Sequence, residues 1–440
     1  MSLPQTNRKI NLLQATSINM IDMVGIGPFV VMPFVVAQFN NGLFLWAWIF
    51  GAFTAFADAM IWSELGAKYP LAGGTYNFHR IAFGEKGGRL MSFLFVWQTS
   101  IQAPLVVASA AVGFAQYLTY IIDLNLWQQK IISGGLIILV LLLLYRKIEA
   151  IGKISVLFGS VVILTITWII VSGLSHQQHA IKLWPTGDES FFRFAFWAAV
   201  AHGSIKTVYS YLGYYNVCHL GGEIKRPEVN IPRSIFISIA GIAVLYLLMN
   251  ISVMGVVQWQ TVKEDDKYLV STFMEHLYGH KAAVVVTVLI LCIAMSSLFA
   301  VVLGYSRVPY AAAVDGNFFK IFSKLHPTKN FPYISLLILC GSGLIFSLFM
   351  TLPKLITAIL AMRIVVQFIA QSVGVILLRK RFGPGSLPFK MWLYPLPIIV
   401  SVAVWIFLFI STGWFALWGS LMAVAGAIVY FFVNRKFSVE

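Results

Sequence analysis

The sequence predicts an all-α, polytopic membrane protein, on three observations. Of its 440 residues 59% are hydrophobic and only 11% are charged, with a mean hydropathy of +0.84; a soluble domain carries about 25% charged residues. The apolar residues gather in twelve runs, and crossing a bilayer takes roughly 20 helical residues. The runs are continuous and do not alternate over about ten residues, so they read as helices and not as strands of a barrel.

In chain order the runs cover 12–39, 43–64, 90–121, 130–145, 153–174, 192–219, 234–257, 282–304, 332–351, 354–378, 391–411 and 414–433. The first follows Arg8 and Lys9 and is too long for the apolar core of a signal peptide, so it reads as a span with no cleavable signal. It is interrupted at Gly25-Ile26-Gly27-Pro28. Glycine weakens a helix interior, and proline removes a donor and clashes one turn back. Pro28 is nevertheless comfortable in the first turn of a new helix, so this span reads as helix, break, helix. After the second run comes KYPLAGGTYNFHRIAFGEKGGR, whose Gly73-Gly74 pair and aromatics suggest a structured loop against the membrane. The third run is the longest, and splitting it would change the topology. The fourth and fifth follow uninterrupted. The sixth is broken in its turn: in TVYSYLGYYNVCHL, polar and aromatic residues crowd around Gly213. An outer loop at about 258–281 holds the polar, helix-like TVKEDDKYLVSTFMEHLYG, and an inner loop spans 305–331.

One break could be a kink. Two breaks five spans apart, in corresponding places, are the pattern of an inverted-repeat transporter whose midplane site is built from discontinuous helices. The expected organisation is one membrane domain over 1–440, with repeats at 12–174 and 192–379 (spans 1–5 and 6–10), spans 1 and 6 unwound at mid-membrane, and two accessory helices within 391–433. With both termini in the cytoplasm, roughly three times as many Lys and Arg fall on inner as on outer segments. The net charge of +15 is then a basic face toward anionic lipid and not a nucleic-acid surface. Cys218, Cys292 and Cys340 lie within or at the edge of spans and read as small buried apolar residues. No metal-spaced Cys/His set or nucleophile motif is present, so neither an enzyme nor a cofactor or metal is expected.

Several short motifs occur in a telling order: Gly25-Ile26-Gly27-Pro28-Phe29; Ser63-Glu64-Leu65-Gly66, then Tyr69-Pro70 and Gly73-Gly74-Thr75-Tyr76; Glu223-Ile224-Lys225-Arg226-Pro227 with Ile231-Pro232-Arg233; Ser297-Leu298-Phe299, Arg307, Asp315-Gly316 and His326-Pro327; and Leu377-Leu378-Arg379-Lys380-Arg381 with Pro388-Phe389-Lys390. In this order they resemble the amino acid–polyamine–organocation superfamily, especially its bacterial L-type amino acid transporter-like branch, across most of the chain. The resemblance implies a LeuT-type fold of 12 transmembrane helices, transport by alternating access, and a substrate held between the breaks of spans 1 and 6. Exposed N–H groups opening the second half of span 1 attract a carboxylate, and unwound carbonyls of span 6 accept from an ammonium. The implied substrate-binding residues are Gly25, Ile26, Gly27, Tyr209, Ser210, Tyr211, Leu212 and Gly213. Two departures weaken the carboxylate cradle. Ile26 stands where the family has a small, often hydroxylated residue, and Pro28 has no N–H. A hydrogen bond to a charge is worth about 1.5–3 kcal/mol, so another group compensates or the substrate is not an ordinary α-amino acid.

Ionisable residues inside spans are costly and mark function by default. Asp22 lies one turn before the first break, Lys206 one turn before Tyr209, and Arg363 about ten residues into span 10, roughly 15 Å deep at 1.5 Å per residue. Lys206 or Arg363 could supply the missing anion donors or read an acidic group. Asp22 could instead pair with one of them, or accept a proton. Gln98 and Gln102 share a helical face as further pocket candidates or interhelical partners. Among the aromatics at the second break, Tyr209 and Tyr211 are the pocket candidates. His202 reads as a packed polar residue, and His176 and His179 as a weak metal signal. In sodium-independent relatives a lysine matching Lys153 places its ammonium where a sodium ion sits in sodium-coupled members, with Ser297 as the matching residue of span 8.

The expected function is secondary active transport of amino acids or related amines by alternating access, as sodium-independent proton symport or exchange. A polyamine or organic cation carrier of the same fold is the alternative, and a channel is less favoured. The expected setting is the inner (plasma) membrane, multi-pass, with the lipid bilayer and a small amino acid or amine as partners and no nucleic acid. The outer loop around DLNLWQQ has no cysteine, so no disulfide-linked heavy chain is expected.

Overall fold

The structure is a computed structural model that describes residues 8–39, 42–71, 73–145, 151–185, 191–329 and 331–437, without the side chains of 151–159, 384 and 433–437. Helix α1 (Leu12–Met23) opens on a reciprocal cap: the Asn11 side chain accepts from Gln14 N at 2.9 Å, and Gln14 accepts from Asn11 N at 3.0 Å. It breaks at Val24, and α2 (Gly27–Val36) restarts with Pro28 in its first turn, at 50° to α1. Next come α3 (Leu45–Lys68), α4 (Thr75–Ala82), the unbroken α5 (Gly84–Leu118), α6 (Leu126–Leu144) and α7 (Ile151–Ser175). Then follow α8 (Phe194–Tyr211), the single turn α9 (Asn216–His219), α10 (Pro227–Met254), α11 (Leu269–Tyr278), α12 (His280–Tyr305) and α13 (Arg307–Val314). The chain finishes with α14 (Tyr333–Phe349), α15 (Leu352–Arg363), a π-helical segment at Ile364–Ile369, α16 (Ala370–Phe382), α17 (Leu396–Ser411) and α18 (Trp414–Phe437).

Each predicted run contains a helix, and among the described residues no strand forms beyond one isolated bridge between Ile10 and Ile224. By length and composition seven helices can cross a membrane, or eight with the bent pair α1–α2 as one. Three more, Ser160–Ser175, Tyr333–Phe349 and Leu396–Ser411, are apolar but shorter. The chain is thus a multi-pass helical membrane protein. About two thirds (67%) of the apolar stretch of α3 and of α5 is buried within the protein, against 17% for α18. So α3, α5 and the span from Leu352 to Phe382, 72% buried, form the centre, and α18 presents Leu421, Phe431 and Phe432 outward to lipid. Cys218 and Cys340 are buried, as expected; Cys292 instead faces outward on α12, where lipid is as apolar as a core.

The loop after α3 is structured. Gly73 N donates to His219 O at 2.9 Å, and a Cβ on Gly74 (φ +49°) would meet the His219 ring at 2.6 Å. Helix α4 is tied to the end of α13: Tyr76 donates to Asp315 Oδ2 at 2.7 Å, and Arg80 pairs with the same carboxylate. Deeper in, Arg379 of α16 forms a two-pronged bond to Glu64 of α3, one prong at 2.6 Å, and Glu64 also accepts from Met391 N at 2.9 Å. Both side chains are nearly excluded from solvent, at 10% and 2% exposed.

Candidate functional site

The two breaks meet and satisfy each other. A helix that stops leaves its last carbonyls, and one that starts leaves its first N–H groups, without helical partners. Tyr246 of α10 answers the carbonyls: its hydroxyl shares one proton between Met23 O at 3.0 Å and Ser210 O at 3.1 Å. Asn19 of α1 answers a restart, its Oδ1 accepting from Val217 N of α9 at 2.9 Å. Between α8 and α9 the chain turns through Gly213 at φ +120°. A Cβ there would lie 2.8 Å from Asp22 Oδ2 and 2.9 Å from Met23 N. Only glycine allows both this conformation and this approach. Gly25 sits close against α12 by packing alone, since a Cβ there would lie 2.7 Å from Ser297 Oγ.

A cavity lies at this crossing, with some 70 Å³ of space for water centres, enough for several waters at roughly 10–15 Å³ each. Its wall includes Gly25, Ile26, Gly27, Tyr209, Ser210, Leu212 and Gly213, together with Asp22, Ser297 and Arg363. Ile26 turns its bulk toward α5, where a Cβ on Gly113 would lie 2.9 Å from Ile26 Cγ2. Tyr209 is held by a 2.9 Å bond to Ser109. Arg363 ends α15 where the π-helical segment begins; such segments widen a helix and recur at functional sites. It donates to the hydroxyls of Tyr215 and Tyr305, both also in the cavity wall. Asp22 is close enough to feel the Arg363 charge, yet no direct ion pair joins them among the described residues.

Several expected residues sit elsewhere. Tyr211 does not border the cavity. Its ring is buried edge-on to Trp48 at 6.4 Å and Tyr246 at 5.3 Å. Residues 209 and 211 are about 200° apart around a helix, so both cannot face one cavity. Lys206 is also outside the wall, with Nζ 6.0 Å from the Phe34 ring and within reach of the Glu264 charge. Gln98 and Gln102 are buried on α5 behind the wall, and Gln102 comes up beside Tyr305. The Lys153 side chain falls outside the described residues.

Two groups escaped sequence reasoning. One is Tyr246, a lone tyrosine in the apolar stretch AGIAVLYLLMN. The other is Asp58 in FADAM, buried behind the second break, where four side chains donate to it. Tyr214 at 2.6 Å and Trp62 at 2.7 Å reach Oδ2; Ser401 and Trp405 of α17, both at 3.1 Å, reach Oδ1. Trp62 in turn stacks on Tyr215 at 4.5 Å, so the carboxylate braces the tyrosine that holds Arg363. An acidic residue within a predicted span was the available signal.

Comparison with known proteins gives a consistent answer. A family model described as amino acid permease matches residues 10–433. YecA of Bacillus subtilis (strain 168), an uncharacterized amino acid permease, is 25% identical over 99% of this chain and 97% of its own length. The serine/threonine exchanger SteT of the same organism is 25% identical over 92% of this chain and 91% of its own. Mouse cationic amino acid transporter 4 is 23% identical over 86% of this chain and 61% of its own.

Proposed function

Because the chain belongs to the amino acid permease family, we propose that it is a secondary active transporter of amino acids or closely related amines, working by alternating access around the crossing of its two broken helices. The observation that carries this reading is the cavity itself. It lies where both helices unwind, and its wall offers helix-end groups and two opposite charges to a small polar solute. In this reading the twelve helical runs are twelve spans of a LeuT-type fold in one domain, with repeats at 12–174 and 192–379 and accessory helices within 391–433. The Lys and Arg bias supports cytoplasmic termini in the plasma membrane.

Sodium-independent coupling, by proton symport or exchange, is part of the proposal. Its support is the resemblance at Lys153 and the close packing of Ser297 on Gly25. Gly25, Ile26, Gly27, Tyr209, Ser210, Leu212 and Gly213 form the proposed substrate wall, and SteT as a serine/threonine exchanger points to an amino acid as cargo. Asp22 alone would suit an organic cation or polyamine, but Arg363 in the same wall repels one. The test is counter-flow in proteoliposomes with a panel of amino acids and amines, with and without sodium and a pH gradient. Saturable, sodium-independent exchange is expected; no counter-flow with any probe rejects the reading.

A further inference from the structure

We propose that the substrate's charges are read by two side chains and not by helix ends: Arg363 takes the carboxylate, Asp22 takes the ammonium, and the site therefore selects small zwitterions. This deepens the transport reading and rests on it.

The argument begins with an unbalanced cation. Arg363 is 3% exposed within a span, where an ion without an opposite charge is expensive. A guanidinium carries five N–H donors. Its partners here are two neutral phenols, and its Nε is buried without a partner among the described residues. The unbalanced anion is in the same wall. No described side chain donates a hydrogen bond to Asp22, and Gly213 is the close neighbour that leaves it room. Among the described residues each charge lacks a direct counter-ion, and the two do not reach each other.

One solute corrects both deficits. A molecule carrying a carboxylate and an ammonium gives each side chain its partner and leaves the site's net charge unchanged. An amine without a carboxylate leaves Arg363 unmatched, and an acid without an amine leaves Asp22 unmatched. The helix end is a weak competitor for the carboxylate, because Pro28 has no N–H. The size of the cavity favours the smallest side chains.

The test compares probes that differ by one charge on the full-length protein in proteoliposomes. These are L-alanine and L-serine, the amines ethylamine and ethanolamine, and the acids propionate and lactate, each as a competitor of counter-flow. Wild type should favour the amino acids over both single-charge sets. Arg363→Gln should lose roughly 10- to 150-fold in amino acid affinity, the range for one hydrogen bond to a charge, while the amines, relieved of its repulsion, bind no more weakly than before. Asp22→Asn should weaken the amino acids and the amines while sparing the acids, and Arg363→Lys should recover part of the loss. A purely structural role would weaken every probe alike; that result, or amino acid affinity unchanged in both variants, overturns the proposal. If wild type shows no counter-flow with any probe, the transport reading itself fails.

Discussion

The hydroxyl of Tyr246 lies 3.0 Å from the carbonyl oxygen of Met23, where the first broken helix ends. The same hydroxyl stands 3.1 Å from Ser210 O, where the second ends. A residue of α10 that never borders the cavity thus fixes the spacing of the two breaks that form it. Tyr246→Phe keeps the packing on Trp48, 5.3 Å away, and removes only this bond. Two buried carbonyls then lose a donor, which should cost about 1–3 kcal/mol. The melting temperature in detergent should fall and the KM for uptake should rise. An unchanged melting temperature would show that the hydroxyl carries no load.

Gly213 is the second fixed point. Gly213→Ala needs a left-handed backbone that L-residues avoid, and it presses a methyl onto Asp22 and Met23. Transport should fall to background. Gly304→Ala is the control, since a Cβ there meets nothing within 4 Å. If both variants transport equally well, the crossing is looser than its geometry implies.

Much of this arrangement was legible in the sequence, for identifiable reasons. Long apolar runs announce helices, and Gly25-Ile26-Gly27-Pro28 and Gly213 announce breaks, because local backbone chemistry decides both. Asp22 and Arg363 stood out because a charge in a span needs a reason. What the sequence could not supply was azimuth, the face each side chain presents. Tyr211 and Lys206 occupy the right element and point elsewhere, and Tyr246 came from an unremarkable apolar helix. The π-helical segment after Arg363 left no local signal either, since no glycine or proline marks Ile364–Ile369.

Asp58 should prove indispensable to the second break. Its two oxygens accept four donors from α3, α17 and the segment after Gly213. Asp58→Asn keeps the shape but turns an NH2 group toward two donors, leaving them unmatched at about 1–3 kcal/mol for each group. Pairing it with Trp405→Phe removes one of the clashing donors, so the double variant should cost less than the sum of the two. Additive losses would mean that the carboxylate and the indole are not coupled.

The Glu64–Arg379 pair makes a similar claim near the C-terminal end of α3. Removing one partner of a buried ion pair typically costs about 3–5 kcal/mol, because the other charge is left without compensation. Glu64→Gln should therefore destabilise the protein more than Arg80→Gln, whose pair with Asp315 is much more exposed. Chemical or thermal unfolding of the two variants in the same detergent decides the order, and equal losses would contradict it.

His79 gives a pH dependence whose sign can be worked out. It lies on α4, in the loop between α3 and α5 outside the spans, 1% exposed between Phe83 at 5.7 Å and Phe95 at 6.3 Å. Neither ring nitrogen has a partner among the described residues. Burial disfavours the charged ring and pushes its pKa from 6.5 down to about 3. The unfolded chain therefore binds the proton first as pH falls, and stability drops wherever that is so. His79 leaves stability intact above about pH 6.5 and lowers it progressively from there toward pH 3, by about 2 kcal/mol at pH 5 if its folded form stays neutral. His79→Phe keeps an aromatic ring among aromatic neighbours and cannot titrate. Melting temperatures measured from pH 7.5 to 5 should fall more steeply for wild type than for the variant. Two parallel curves would mean that the ring takes up its proton inside the fold, against the burial seen here.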